Sequence, residues 1–291
     1  MNRRLATFVT LPLLTAWLLS SGPSFAHASG FSITKDMHAF ASFRDLEEVN
    51  EYDASGGRIR QIFTWTRPEG IATDSAGNLY VAEDGGAVVR YPARRTTPDR
   101  QWTRGLLFPS EVAMDARGAL FVADHYPSTD GVIVVFENGR SAPSYTITDG
   151  IRGPAGLAVD PSGDLFVYNY DASTITEYLR GQSHVHRSLP TCPTSLGGLT
   201  FDAQGLMYVS DTCRGHGEIS VYQAGADNPF EHVLVPNPTE ITTTTNGAVL
   251  VVSHNGSRLS AFAQSTLQPL GSMTIRPRDY IYGLAATPAV P

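Results

Sequence analysis

The stretch that decides the fold lies at residues 68–83 and reads PEGIATDSAGNLYVAE. Close copies return at residues 109–124 (PSEVAMDARGALFVAD) and 154–169 (PAGLAVDPSGDLFVYN). A looser copy covers residues 196–211, and a degenerate copy covers residues 238–253. Self-similarity with a period of about 40 residues indicates stacked supersecondary units, so the repeat predicts the architecture before any single residue is weighed.

Each repeat predicts four short β-strands, which we name a to d. In the first repeat, strand a covers residues 70–74, strand b 79–82, strand c 88–91 and strand d 101–103. The Asp-x-x-Gly segment forms the turn between a and b, because Asp can bond its own backbone and Gly tolerates a positive φ. Four short antiparallel strands per repeat are typical of a propeller blade.

The blades can be counted in two independent ways. The turn position is filled in five copies by Asp74, Asp115, Asp160, Asp202 and Thr244. An aromatic residue ends strand c at Tyr52, Tyr91, Phe136, Tyr178, Tyr222 and Phe262. The copy around Tyr52 has strands b (38–43), c (49–52) and d (61–65) but lacks strand a, and residues 282–287 (YGLAAT) match the missing strand. We therefore predict an all-β, six-bladed β-propeller of four-stranded antiparallel blades, with a closing blade shared between the two chain ends and no long helix.

The first 28 residues have the pattern of a secretory signal peptide. Arg3 and Arg4 precede the apolar segment 5–19, and Ala26-His27-Ala28 is a small-x-small cleavage site. We expect residues 29–291 to form one domain that is secreted or periplasmic. No later apolar run is long enough to span a bilayer, so we expect no transmembrane segment.

The net charge limits the classes of partner. Without Arg3 and Arg4, 19 cationic residues (21 − 2) oppose 28 acidic ones, a net charge of −9. This balance argues against nucleic acid or an anionic membrane as a partner.

Export permits a disulfide between Cys192 and Cys213, which would stabilise the folded protein by roughly 3 kcal/mol on the chain-entropy estimate. We expect a monomer.

The repeat at 68–82 and its copies resemble NHL repeats and the SMP-30/gluconolactonase-like six-bladed propellers. The resemblance covers nearly all of residues 29–291 and implies the fold. It does not select an activity, because such propellers include lactonases, lyases, strictosidine-synthase-like proteins, and protein- and RNA-binding modules. In the SMP-30-like proteins the Asp of a Pro-Asp-Gly loop is a metal ligand, and here Glu69 occupies that position. The set of metal ligands that the resemblance implies is thus incomplete.

In a propeller, the d–a and b–c loops share one face, and two rings of side chains are predicted there. The position ending strand b holds Glu83, Asp124, Asn169, Asp211 and Ser253. At the start of strand a, Glu111 and Glu240 replace the glycines found in other repeats, and each is followed 14 residues later by a histidine, His125 or His254. The two repeats concerned lie opposite one another in a ring of six, so the four side chains converge on the channel mouth.

These residues support several interpretations. Glu111, His125, Glu240 and His254 form a candidate site for a divalent cation, Ca²⁺ or Zn²⁺, or for acid–base chemistry. The alternative is that they hold no ligand and that no cofactor is required. Glu83, Asp124, Asn169 and Asp211 are candidate binding residues, or they cap backbone N–H groups of a neighbouring loop. His184 and His186 form a His-x-His pair on a predicted outer strand, where solvation is the usual role.

Two functions from different classes fit the sequence. The first is a binding module that takes a small molecule or a protein ligand on the face carrying the d–a and b–c loops. The second is a metal-dependent hydrolase or lyase of the SMP-30/lactonase-like type. A third, a protein scaffold acting through its outer rim, would leave the central residues unused.

Overall fold

The computed structural model describes residues 37–125, 130–192, 197–213, 216–253, 258–275 and 280–287, without the side chain of Cys213. The predicted signal peptide, residues 1–28, lies outside the described residues. Within the described ranges the chain forms 24 strands and one 3-10 helix, Arg44–Leu46. No helix in this part of the chain has the length and apolar character needed to cross a membrane.

The strands form six separate antiparallel sheets of four strands each, which confirms the predicted blade count. Five sheets are continuous in sequence, and we number them blades 2 to 6. Their strands are β4 (Pro68–Thr73), β5 (Leu79–Glu83), β6 (Ala87–Tyr91) and β7 (Arg100–Trp102); β8 (Pro109–Met114), β9 (Leu120–Asp124), β10 (Val132–Phe136) and β11 (Tyr145–Ile147); β12 (Pro154–Val159), β13 (Leu165–Asn169), β14 (Thr174–Tyr178) and β15 (Arg187–Pro190); β16 (Leu199–Phe201), β17 (Met207–Cys213), β18 (His216–Tyr222) and β19 (Glu231–Leu234); β20 (Pro238–Thr243), β21 (Ala248–Ser253), β22 (Arg258–Ala263) and β23 (Pro269–Thr274).

Blade 1 is the predicted closing blade. Its strands, from the axis outward, are β24 (Ile281–Thr287), β1 (His38–Phe43), β2 (Glu48–Asp53) and β3 (Arg58–Phe63). Ala41 lies opposite Leu284, so the two ends of the chain pair in one sheet. Strand β3 begins three residues and ends two residues earlier than predicted, and the loop that follows it is held by a hydrogen bond from the Thr66 backbone N–H to Glu83.

The six inner strands contact one another in the order β24, β4, β8, β12, β16 and β20, and β20 contacts β24 again. The ring is therefore closed. The buried apolar side chains lie between adjacent blades: Val49 and Ile62 of blade 1, for example, pack with Leu79, Val81 and Val89 of blade 2. Each sheet is covered on both faces, which explains why the inner strands are apolar on both sides.

The a–b turns all lie at one end of the ring and have the predicted chemistry. Asp74 Oδ1 accepts hydrogen bonds from the backbone N–H groups of Ala76 (3.0 Å) and Asn78 (2.9 Å), and Gly77 has φ 77°. The d–a and b–c loops are therefore at the opposite end, which we call the loop face.

Candidate functional site

The inner strands surround a central channel of about 280 Å³. Equivalent positions at the loop-face end of the inner strands, on or next to each strand, hold four glycines and two glutamates: Gly70, Glu111, Gly156, Gly198, Glu240 and Gly283. Glu111 lies on blade 3 and Glu240 on blade 6, three blades apart, so they occupy opposite walls as predicted. The next position on each strand is apolar in every blade: Ile71, Val112, Leu157, Leu199, Ile241 and Leu284. Two carboxyl groups thus face each other across the channel, and the apolar side chains that follow them pack between adjacent blades.

The Glu111 side chain lies over the neighbouring blade. A Cβ atom added to Gly70 would sit 2.6 Å from Glu111 Oε1, so only glycine leaves room for the carboxyl group. The Val112 backbone N–H also hydrogen-bonds the Glu111 carboxylate. The glycine of blade 2 therefore positions the glutamate of blade 3.

Both carboxyl groups have strongly shifted acidity. Burial raises the pKa of Glu111 well above its ordinary value, and the negative charges of Glu240 and Glu69 raise it further. Burial also raises the pKa of Glu240, to about 8. Two buried carboxylates that interact cannot both ionise easily. At neutral pH the pair therefore holds at least one proton.

A charged cluster lies at the channel mouth, and we call it the mouth cluster: Arg44, Arg67, Glu69 and Asp84. Arg44 Nε lies 2.7 Å from Glu69 Oε1, and Arg67 Nη2 lies 2.7 Å from Asp84 Oδ2. Burial raises the pKa of Glu69 to about 7, and the Arg44 charge opposes that rise. Sequence reasoning missed this cluster because Arg44 comes from blade 1 and the other three residues come from blade 2. Among the described residues, no arginine or lysine forms an ion pair with Glu111 or Glu240.

The ring that ends strand b has a different role. Asp124 accepts hydrogen bonds from the backbone N–H groups of Leu107 (2.7 Å) and Phe108 (2.6 Å). The equivalent bonds in the other blades are Thr66 N to Glu83 (3.2 Å), Arg152 N to Asn169 (2.8 Å) and Cys192 N to Asp211 (3.0 Å). None of these four acceptors lines the channel. Their geometry favours the capping interpretation, in which each side chain holds the loop that enters strand a of its own blade.

The predicted histidine partners do not extend the glutamate pair among the described residues. Register places Glu111 opposite Ala123, so His125 lies beyond the end of β9 and does not line the channel. Its backbone N–H donates to Phe108 O (3.1 Å), and its buried Nε2 has no hydrogen-bond partner in the described part of the chain. His254 lies outside the described residues. Within those residues, no three His, Cys, Asp or Glu side chains come close enough together to hold a metal ion.

Two other predictions concern residues away from the channel. His184 and His186 precede β15 (Arg187–Pro190) instead of lying on an outer strand, and both are exposed. His184 Nδ1 lies 3.6 Å from Asp149 Oδ2. The Cys192–Cys213 disulfide stays a prediction, because the Cys213 side chain is outside the described set.

Comparisons with known proteins agree with this geometry at the level of the fold. The chain is a six-bladed β-propeller. A profile of the strictosidine synthase-like N-terminal family matches residues 58–91, which run from β3 to β6. No curated protein matches the chain.

Two solved structures share the propeller fold. One is hydrazine synthase of Kuenenia stuttgartiensis, with 15% identity and a TM-score of 0.61 over 77% of this chain and 72% of that chain. The other is a chain of the nidogen/laminin complex, with 15% identity and a TM-score of 0.62 over 87% of this chain and 98% of that chain. Identities this low establish similarity of fold alone, so function must be argued from the site.

Proposed function

We propose that this propeller is a binding module for a small molecule and that its site is the loop-face end of the central channel. The observation that carries the proposal is the Glu111–Glu240 pair, which faces the channel without an ion-pair partner among the described residues. A concave cavity on which a few polar groups of shifted pKa converge is a common form of a ligand site. A volume of about 280 Å³ suits a small-molecule ligand better than the surface of a protein partner.

The sequence supports action outside the cytoplasm. Residues 1–28 have the order of a signal peptide, and we propose that the propeller is secreted or periplasmic. Detection of an N-terminus near residue 29 in protein recovered from the periplasm or medium would support export. Intact residues 1–28 on cytoplasmic protein would contradict it.

The competing hypothesis is a metal-dependent hydrolase or lyase. It draws support from the raised pKa values of Glu111 and Glu240, because such groups suit acid–base catalysis near neutral pH. Its metal site, however, needs His125 and His254 beside the glutamates, and His125 does not line the channel. Metal analysis of protein purified without chelator separates the two. A stoichiometric Ca²⁺ or Zn²⁺ that is lost in Glu240→Ala favours the enzyme.

A fragment screen by methyl NMR tests the binding module. Bound fragments should shift the methyl signals of Leu199 and Leu284, which line the channel, and leave those of Leu179, on the outer surface, unchanged. Glu240→Leu should remove these shifts. Glu231→Leu, a matched change on exposed β19, should keep them.

The fragment screen can also contradict the binding function. If no fragment shifts the channel methyls, or if every fragment binds Glu240→Leu as well as it binds the wild type, the channel is not the ligand site.

A further inference from the structure

The outer strand of blade 1 presents the least protected sheet edge in the described part of the propeller. Strand β3 has six residues and contains neither proline nor glycine. Among the other outer strands, β7 and β11 have three residues and β15 and β19 have four, whereas the longer β23 contains Pro269 and Gly271. Short strands, proline and local irregularity protect a sheet edge from pairing with another chain. Of these devices, β3 has one irregularity near its start, where its register with β2 shifts.

The backbone of β3 leaves hydrogen-bonding groups open at this edge. The Thr64 backbone N–H donates to Glu47 O (2.9 Å), and the register places Phe63 opposite Glu48. Because hydrogen-bonded and non-hydrogen-bonded pairs alternate in an antiparallel ladder, the N–H and C=O groups of Gln61 and Phe63 point away from β2. In the described part of the chain, neither backbone forms a hydrogen bond outside blade 1. These groups are therefore available to an incoming strand.

Exposed aromatic side chains lie at one end of this edge. Phe63 is 68% exposed and Trp65, just beyond the strand, is 60% exposed, whereas Ile62 and Thr64 are buried. This alternation places Phe63 and Trp65 on the same side of the chain. Aromatic residues are enriched in protein interfaces, where they supply large contact areas. An extended partner segment meets both side chains with its own alternate residues.

The other end of the edge is positively charged. Arg58 is exposed, and the Arg60 guanidinium donates to the backbone oxygen of Arg95 (2.8 Å), which brings the exposed Arg95 beside the strand. Among the described residues, neither Arg58 nor Arg95 forms an ion pair. The nearby acids are engaged, since Glu51 binds Arg60 and Asp53 accepts hydrogen bonds from the turn that it begins. The whole chain has a net charge of −7, so this positive edge is a local exception.

We infer that β3 takes an extended, acidic segment of a partner protein as a fifth strand of blade 1. In an antiparallel pairing, the apolar residues of the segment contact Phe63 and Trp65, and the acidic residues that follow them reach Arg58 and Arg95. Hydrogen bonds to the backbone of Gln61 and Phe63 supply affinity, and the charges fix the direction of the segment. This surface lies on the outer rim, so the inference does not depend on the channel site.

Other occupants match the edge less well. A symmetric pairing of two β3 strands brings Arg58 and Arg60 of both copies into one interface, where like charges repel. Nucleic acid and anionic lipid complement the charge, but neither offers the alternating donors and acceptors that pair with a sheet edge. An acidic polypeptide complements both the charge and the backbone.

Two matched peptides test the inference. The first is Thr-Val-Thr-Val-Thr-Asp-Ala-Asp with blocked ends, and the second has lysine in place of both aspartates. Each is titrated into the full propeller, and binding is measured from the backbone amide NMR signals of Gln61 and Phe63. We expect the acidic peptide to shift these signals and to bind about tenfold more tightly than the basic peptide, because exposed ion pairs replace like-charge contacts.

Four variants separate the backbone from the charges. Phe63→Pro removes an N–H that the blade does not use, so it should keep the amide spectrum of the other blades and lose the peptide. Phe63→Ala keeps the N–H and should weaken binding less. Arg58→Glu should remove the preference for the acidic peptide. Arg117→Glu, a matched change on an exposed turn of blade 3, should preserve it.

Four results would overturn the inference. They are no binding of the acidic peptide, equal or tighter binding of the basic peptide, unchanged binding to a folded Phe63→Pro variant, and stronger shifts of the same amides by an oligothymidylate. Concentration-dependent dimerisation that shifts the Gln61 and Phe63 amides would assign the edge to a second copy instead. None of these results bears on the channel, which the fragment screen tests separately.

Discussion

The two rings of acidic side chains on the loop face differ in what they contact. The ring that ends the second strand of each blade is buried, and its members hold loops by accepting backbone hydrogen bonds: Asp124, for example, accepts two short ones. The ring on the inner strands is reduced to Glu111 and Glu240, which face the channel and each other. Acidic side chains of the same blade therefore hold a loop in one ring and line the channel in the other.

This difference shows how a repeat can separate stability from function. A carboxylate that caps a loop recurs because every blade needs its loop held, and the recurrence is visible in Glu83, Asp124 and Asp211. Glu111 and Glu240 stand where the other repeats have glycine, and they hold no such loop. Buried groups that are costly to the fold and unused by it are candidates for function.

The largest expected effect is on the satisfied ring. Asp124→Ala should lower the free energy of unfolding by about 3 kcal/mol, because two bonds to a charged acceptor are lost and two backbone N–H groups are left without a partner. Urea unfolding at neutral pH measures this change. Asp124→Asn keeps one acceptor oxygen and should cost less. A loss below about 1 kcal/mol for Asp124→Ala would mean that the capping interpretation is wrong.

The second prediction concerns pH and the glutamate pair. The pKa of Glu240 is about 8 in the folded protein, above the ordinary value of 4.5, so its contribution to stability is present below pH 4.5 and is lost as pH rises through about 8. Between about pH 5 and about pH 9, Glu111→Gln/Glu240→Gln should therefore lose less stability than the wild type, by more than about 1 kcal/mol.

Thermal and urea unfolding across that pH range check the second prediction. Glu69 and Glu83 also have pKa values raised to about 7 by burial, so the wild type should weaken over the same range even without the pair. The difference between the two proteins isolates the pair. Parallel pH curves would contradict the prediction.

A smaller effect is expected where the two blades meet at Gly70. Gly70→Ala places a Cβ against the Glu111 carboxyl group, which must move. Because the end of a flexible side chain can shift, the cost should be below about 1 kcal/mol. In the Glu111→Ala background the same change should cost nothing measurable. Equal costs in both backgrounds would show that Gly70 does not position Glu111.

The smallest effect is expected in the mouth cluster. Arg44 is 32% exposed, so Arg44→Ala should change stability by less than about 1 kcal/mol. It should nevertheless raise the pKa of Glu69 above about 7, because it removes the charge that opposes the effect of burial. Carbon-detected NMR of the Glu69 carboxyl group measures the shift. An unchanged or lower pKa would contradict the ion pair.

Most of the fold could be predicted from the sequence, because the repeat carries it locally. Turn residues such as Asp74 and Gly77 of blade 2 recur at the same end of the other blades. The match between residues 282–287 and strand a predicted that the chain ends pair, as Ala41 does with Leu284. The prediction was least accurate at β3, where no repeat residue marks the end of the strand. The loop that follows β3 is held instead by a hydrogen bond to Glu83, which is distant in sequence.

The site was only partly predictable. A departure from the repeat was sufficient to identify Glu111 and Glu240 and to place them on opposite blades. Their environment was not predictable, because Gly70 and Glu69 act on Glu111 from the neighbouring blade and Arg44 comes from the closing blade. Spacing along the chain also linked Glu111 with His125, although register places the histidine beyond the end of β9.

The most direct test is a carbon-detected NMR titration of Glu111 and Glu240 in the wild-type protein and in each single Gln variant. We expect the Glu240 carboxyl group to titrate near pH 8, Glu111 to lose its proton well above the ordinary range, and each signal to respond when the other glutamate is replaced by Gln. Titration of both glutamates near 4.5, with no response of either to the other, would contradict a proton-holding pair in the channel.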